Sequence, residues 1–169
     1  APSGQQKIQW VKNNMPLLSG LEKEFEKTKP FEGIKISLSV HLEAKTAYLC
    51  LVLAAGGAQM SVTGSNSLST QDDVAAALAD AGLKVFAWHG ATDEEYNRHI
   101  EMCLAHKPNI IIDDGGDLVG LLHNERPDLA EEVWGGCEET TTGVIRLKAM
   151  EKEGILKFPM VAVNDAQCK

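Results

Sequence analysis

The sequence has no long hydrophobic run. Its longest apolar stretch, residues 47–58, is interrupted by Gly56 and Gly57 and falls short of the roughly 20 residues a membrane-spanning helix needs. Positive charge is also scarce, with 16 Lys and Arg against 24 Asp and Glu, a net charge of −8. A surface that tracks nucleic acid must neutralise phosphates with Lys and Arg, so no nucleic-acid or membrane partner is expected. Cys50, Cys103, Cys137 and Cys168 are scattered without a CxxC spacing. That excludes a zinc ribbon, leaves little for a disulfide framework, and reads as reduced thiols in a cytoplasmic protein. Residues 1–6 carry neither a basic segment nor an apolar core, so no secretory leader is expected. No GxGxxG follows any run that reads as a strand, so dinucleotide binding by this chain alone has no sequence support.

What is present is regular alternation. The 169 residues, 44% of them hydrophobic, fit one domain. Trp10, Val11, Met15, Leu18, Leu21 and Phe25 recur at helical spacing and predict one amphipathic helix over 8–27, closed by Lys29-Pro30. The period then shortens: residues 34–40 alternate as a strand does. Further strands are predicted at 60–63, 84–88, 109–112, 135–137 and 160–163. Helices are predicted at 46–55, 72–81, 93–106 and 142–153, with glycine stops at Gly56-Gly57, Gly82 and Gly154. Thr92 and Glu95 stand at capping-box spacing. This order implies a three-layer α/β domain, a mostly parallel sheet with helices on both faces, Rossmann-like or flavodoxin-like. Trp10, Trp88 and Trp134 are expected to pack inside, and His99, His106 and His123 to face solvent. Residues 69–72 read as a capped helix start.

The residues just past each strand are His41, then Gly64-Ser65-Asn66, His89, Asp113-Asp114, Glu138-Glu139 and Asn164-Asp165. In a parallel sheet they gather on one edge, where ligands of open α/β sheets bind. Turn chemistry accounts for Asn, Asp, Gly and Ser, but not for His41 or the glutamate pair. Histidine and carboxylates converging on one edge are what proton transfer requires. Two acidic turns there fit a polyhydroxylated ligand held by acceptors. Thr140, Thr141 and Thr142 suit either a helix cap or a ligand contact.

The ordered series HLEAKTA (41–47), NSLSTQDD (66–73), TDEEY (92–96), IIDDGGDL (111–118), EETTTGV (138–144) and AVND (162–165) resembles the substrate domain of the S-adenosylhomocysteine hydrolases. The similarity runs in order from about residue 10 to 169, and DDGGDL with EETTTG at this spacing is specific. The resemblance implies reversible cleavage of S-adenosyl-L-homocysteine to adenosine and homocysteine. In that family, tightly held NAD oxidises the ribose 3′-hydroxyl, a base removes the acidified C4′ proton, the thiol leaves, water adds, and the ketone is reduced. It also implies an NAD-binding domain after Lys169 and a homotetrameric whole. By position, Glu139 resembles the acceptor of ribose hydroxyls, Asp114 the aspartate beside C4′ and C5′, and His41 the histidine near the departing sulfur. Lys169 resembles the lysine close to the 3′-hydroxyl, and Thr140, Thr141 and Thr142 the threonines that touch NAD.

One departure bears on the substrate. Many members of that family have Thr and Glu where this sequence has Glu43 and Lys45, and those two positions read the edge of adenine. An ammonium group only donates, so Lys45 suits a purine carbonyl, with Glu43 accepting from a protonated N1, as in S-inosylhomocysteine. Alternatively Lys45 pairs with Glu43 or another carboxylate. A binding module without catalysis, and a flavodoxin-like domain whose acidic turns are structural, are the readings from other classes.

Overall fold

In the computed structural model, residues 1–167 are described; Cys168 and Lys169, the latter one of the expected active-site residues, lie outside the described residues. Six strands, β1 (Lys35–Ser39), β2 (Gln59–Thr63), β3 (Lys84–Phe86), β4 (Ile110–Asp113), β5 (Gly135–Glu138) and β6 (Met160–Ala162), form one sheet in the order β3-β2-β1-β4-β5-β6. Every pairing is parallel. The chain therefore starts in the middle of the sheet and winds outward twice, and the order reverses between β1 and β4. A crevice opens at such a switch point, outside the carboxyl ends of the strands.

Strand alternation divides the core in two. Ile36 and Leu38 of β1 and Val62 of β2 are buried with α3 (Ala44–Ala55) and α4 (Asp72–Asp80). Over these two helices lies α1 (Pro2–Asn14), whose Ile8 and Val11 join the same core, and α2 (Pro16–Thr28) packs on α3. On the other face Ile111 of β4 meets α5 (Asp93–Leu104), α6 (Asp117–Asn124), α7 (Pro127–Ala130) and α8 (Thr141–Lys152) through Ile100, Leu118, Leu129 and Leu147. Ser37, Ser39, Ser61 and Thr63 are fully buried on β1 and β2. The Ser37 hydroxyl donates to the Cys103 carbonyl of α5 at 2.7 Å, which fixes that helix against the sheet.

Several local expectations are corrected. The single helix over 8–27 is two helices, broken at Met15-Pro16. Proline has no N–H and sits well only in a helix's first turn, so Pro16 starts α2 instead of continuing α1. Helix α3 begins at Ala44, because Glu43 caps it by accepting from the Lys45 and Thr46 amides. The capping box of Thr92 and Glu95 on α5 is present. Helix α4 starts from Gln71 without a side-chain cap, and α8 starts from Thr140, also without one. His99 is buried, its ring edge-on to Trp88 at 4.2 Å, and burial holds its pKa below the usual value. His106 and His123 are half-buried rather than solvent-facing, bonded to the Ser37 hydroxyl and to the Lys157 amide. The tryptophans are not core residues: Trp10 and Trp134 are 64% and 63% exposed, and Trp88 is exposed as well.

Candidate functional site

The carboxyl edge of the sheet gathers most of the residues singled out above. His41 leaves β1 and Asp114 leaves β4, on the two sides of the switch point. Their side chains meet, with His41 Nε2 at 3.5 Å from Asp114 Oδ2. Asp114 is buried while His41 is exposed, so the carboxylate forms the floor and the imidazole the rim. The Ser65 hydroxyl, from the loop after β2, donates to the same Asp114 oxygen at 3.0 Å. On its other side His41 Nδ1 lies 2.5 Å from the Ser69 hydroxyl. That hydroxyl also reaches the Asn66 carbonyl at 3.0 Å, and it has one hydrogen to give. With that hydrogen on Asn66, Ser69 accepts from Nδ1–H and Nε2 is the nitrogen that faces Asp114.

The acidic pairs divide their labour by strand alternation. Asp113 is the last residue of β4 and shares its face with Ile111, so it points into the core and is fully buried. Its Oδ1 accepts from the Asp114 amide and its Oδ2 from the Val119 amide of α6. Burial, with the Glu138 and Asp117 charges nearby, pushes its pKa up to about 7 against the pull of those amides. Glu138, the last residue of β5 and the register partner of Asp113, is also fully buried. Its Oε1 accepts from the Gly115 and Thr140 amides, while Oε2 has no hydrogen-bond partner among the described residues. Burial raises its pKa too.

The second member of each pair faces outward. Glu139 is exposed, its amide held by the Asp113 carbonyl at 2.9 Å. That bond sets the Glu139 turn directly beside the Asp114 turn. Thr141 and Thr142 are exposed in the first turn of α8, and the Asn164 side chain donates to the Thr141 hydroxyl at 3.1 Å. Glu43 and Lys45 stand at the start of α3, two residues past His41. Glu43 is engaged through Oε1 by the Lys45 and Thr46 amides. Lys45 forms no ion pair among the described residues, so the alternative pairing with a carboxylate is not what the structure contains. Beside them opens a cavity of about 560 Å³ lined by Trp10, Val11, Glu43, Lys45, Lys7 and Gln71. Lys7 donates to the Gln71 amide oxygen at 3.0 Å, which turns that side chain's NH₂ away from Lys7.

Sequence reasoning placed Ser65 at this edge but missed its role as a support, and missed the supports Ser69, Tyr96 and Arg146, which also reach the edge. The Tyr96 hydroxyl lies 2.7 Å from Asp117 Oδ2 and 3.1 Å from the Ser65 carbonyl, and Arg146 contacts Asp117 and the Gly115 carbonyl. One signal for the buried pair was available: after Ile111, a period of two puts Asp113 inside and Asp114 at the edge.

Comparison with known proteins decides the family. The family model described as S-adenosyl-L-homocysteine hydrolase matches residues 1–129 and 125–169. The chain belongs to that family. It is 57% identical over 166 residues to the S-inosyl-L-homocysteine hydrolase of Methanocaldococcus jannaschii, covering 98% of this chain and 40% of the relative. It is 55% identical over 169 residues to the adenosylhomocysteinase of Pyrococcus abyssi, covering 100% of this chain and 40% of the relative. The S-inosyl-L-homocysteine hydrolase of Methanopyrus kandleri is 53% identical over the same length, again 100% and 40%. The chain thus spans about two-fifths of the length of the relatives it matches.

Proposed function

We propose that this chain is the nucleoside-holding part of an NAD-dependent hydrolase that reversibly splits S-adenosyl-L-homocysteine into adenosine and L-homocysteine. The observation that carries the reading is the His41–Asp114 contact at the switch point of the sheet, in a chain of this family. With it we propose an NAD-binding domain outside this chain, a homotetrameric whole and a cytoplasmic location.

The residues present fit such a cofactor's edge. Thr141 and Thr142 are exposed at the start of α8, and Thr140 spends no hydroxyl on a cap. The Thr141 hydroxyl accepts from Asn164 and keeps its own hydrogen to donate, so the turn offers hydroxyls to a polar group laid against it. NAD, when bound, supplies oxidation of the ribose 3′-hydroxyl and so acidifies the C4′ proton. Glu139 accepts from ribose hydroxyls, a task suited to a carboxylate because it is acceptor-only. Asp114 and His41 share the proton work. The carboxylate, fixed by Ser65, lies beside C4′ and C5′, and the Nε2 of His41 hands a proton to the departing sulfur. Lys169 is assigned to the 3′-hydroxyl, where a cation favours loss of its proton.

Lys45, without an ion pair among the described residues, favours a second reading of the base. Lys45 only donates, and Glu43 offers a carboxylate two residues away. That pair complements hypoxanthine, with its O6 acceptor and N1–H donor, and S-inosyl-L-homocysteine would then be the thioether. A hundredfold or greater preference for the adenosine compound in kcat/KM sinks this reading and leaves the first intact.

The test is on the full-length protein. Loaded with NAD, it is expected to release homocysteine from one of the two thioethers, with Asp114→Ala slowed at least about 100-fold. NAD-loaded protein that cleaves neither thioether would refute the function.

A further inference from the structure

Asp113 holds the turn that carries Asp114 at the Asp114 and Val119 amides, but not at the glycines between them. Gly115 and Gly116 follow with φ of +108° and +80°, two successive residues in a region that glycine enters freely and leaves as freely. Its geometry has to be imposed from outside. The structure locates that constraint at one residue, on the two peptide units that flank its Cα. The Gly115 amide donates to Glu138 Oε1 at 2.8 Å, and the Gly115 carbonyl accepts from Arg146 Nη1 at 2.6 Å.

Both clamping residues belong to the strand and helix that flank the Glu139 turn. Glu138 immediately precedes Glu139 and, through the same oxygen, holds the Thr140 amide at 3.1 Å. Arg146, in α8, also bonds Asp117 at 3.0 Å. Room for the arrangement is left by two glycines. A Cβ on Gly143 would collide with the Glu138 carboxyl, and one on Gly120 would press on the Arg146 guanidinium at 2.9 Å.

We propose that Glu138 and Arg146 are positioning residues which grip Gly115 at its amide and at its carbonyl and so set Asp114 at a fixed place relative to Glu139. The inference rests on the hydrolase reading above. It assigns the two residues different shares. Among the described residues Arg146 bonds only the Asp114 side, so its loss misplaces the proton-transfer group. Glu138 touches both turns, so its loss disturbs the chemistry and the sugar contacts together.

The test uses the full-length enzyme loaded with NAD, with Glu138→Ala, Glu138→Gln and Arg146→Lys. Both bonds leave one guanidinium nitrogen, Nη1. A lysine ammonium is a flexible, strongly hydrated point charge without the planar group that holds that nitrogen in place, so Arg146→Lys lowers kcat about 10-fold with KM within about twofold of wild type. Glu138→Ala lowers kcat about 100-fold and raises KM. The glutamine variant, whose amide oxygen still accepts from both N–H groups, stays within about threefold of wild type. Hydrogen exchange at the Gly115 and Thr140 amides is followed in parallel: it speeds up in Glu138→Ala and not in Glu138→Gln. The exchange result stands whether or not the protein cleaves a thioether, so it separates failure of the clamp from failure of the hydrolase reading. Unchanged exchange at both amides in Glu138→Ala, or an Arg146→Lys enzyme with wild-type kcat and only a lower melting temperature, overturns the proposal. Should Glu138→Ala not fold, Arg146→Lys decides it alone.

Discussion

The turn after β4 and the turn after β5 are built alike: a strand ends in two carboxylates, the first buried and the second at the sheet edge, and a helix follows. They differ in closure. Around Asp114 the chain supplies a full set of neighbours, with Ser65 on the carboxylate, His41 opposite it, and Asp113, Glu138 and Arg146 on the backbone. Around Glu139 it leaves the carboxylate and the hydroxyl-bearing Thr141 and Thr142 exposed. Beyond them Val161 of β6 is 61% exposed, and Val163 after it is exposed as well. The β4 turn is finished within this chain, whereas the β5 turn presents its chemistry outward. A closed turn suits a group that must move a proton at one spot. An open one suits groups that meet a ligand and a cofactor arriving from outside.

That contrast can be broken by mutation. The largest effect belongs to the closed turn: Asp114→Ala in the full-length enzyme is expected to lower kcat about 10³-fold. Nucleoside affinity, measured by calorimetry, should change little. Glu139→Ala should do the reverse, weakening nucleoside binding by about 1.5–3 kcal/mol, the usual worth of a hydrogen bond to a charged group. Equal effects of the two variants on affinity would erase the distinction.

Next in size is the backbone. Gly143→Ala forces a methyl into the Glu138 carboxyl and is expected to cost about 1–3 kcal/mol of unfolding free energy. Gly115→Ala meets open space but a φ of +108°, so its similar cost of about 1–3 kcal/mol arises from strain alone. Denaturant melts give both values. A second substitution, Glu138→Ala, should relieve the Gly143 variant and not the Gly115 variant.

Asp113 gives a pH signature. Its folded pKa, about 7, lies above the ordinary carboxylate value, so between about pH 4 and pH 7 the folded state binds more protons than the unfolded state. The contribution of this group to stability therefore falls as pH rises through that window. Across about pH 4–7 the melting temperature of wild type should fall relative to that of Asp113→Asn as pH rises, and a constant gap would contradict the assignment. The smallest effect separates two helix starts. Thr92→Ala removes a capping box and costs about 1 kcal/mol, whereas Thr140→Ala removes no cap bond and should cost less than about 0.5 kcal/mol.

The sheet was legible because β-branched runs such as Ile110–Ile112 end in glycine or carboxylate turns, and because the helices expected over 46–55, 72–81 and 142–153 close on Gly56, Gly82 and Gly154. The broken first helix was not, since Met15 and Leu18 keep the apolar phase running across Pro16. His99 was misplaced because only tertiary contact, with Trp88 across its ring, covers a residue at the flank of the α5 stripe. At the site, the outward residues His41, Asp114 and Glu139 could be read from their positions after strands. The grip on them could not: Ser69 lies 28 residues from His41 and Arg146 lies 31 from Gly115, and no local pattern ties such pairs together. Lys45 was legible as a donor, but its lack of a carboxylate partner among the described residues needed the fold.

The most direct test of the account is hydrogen exchange on the full-length protein with and without a saturating ribonucleoside, adenosine or inosine. Protection should rise together over residues 110–118 and 136–144, the two acidic turns. Protection confined to one of these segments, or to neither, would contradict a nucleoside held between them.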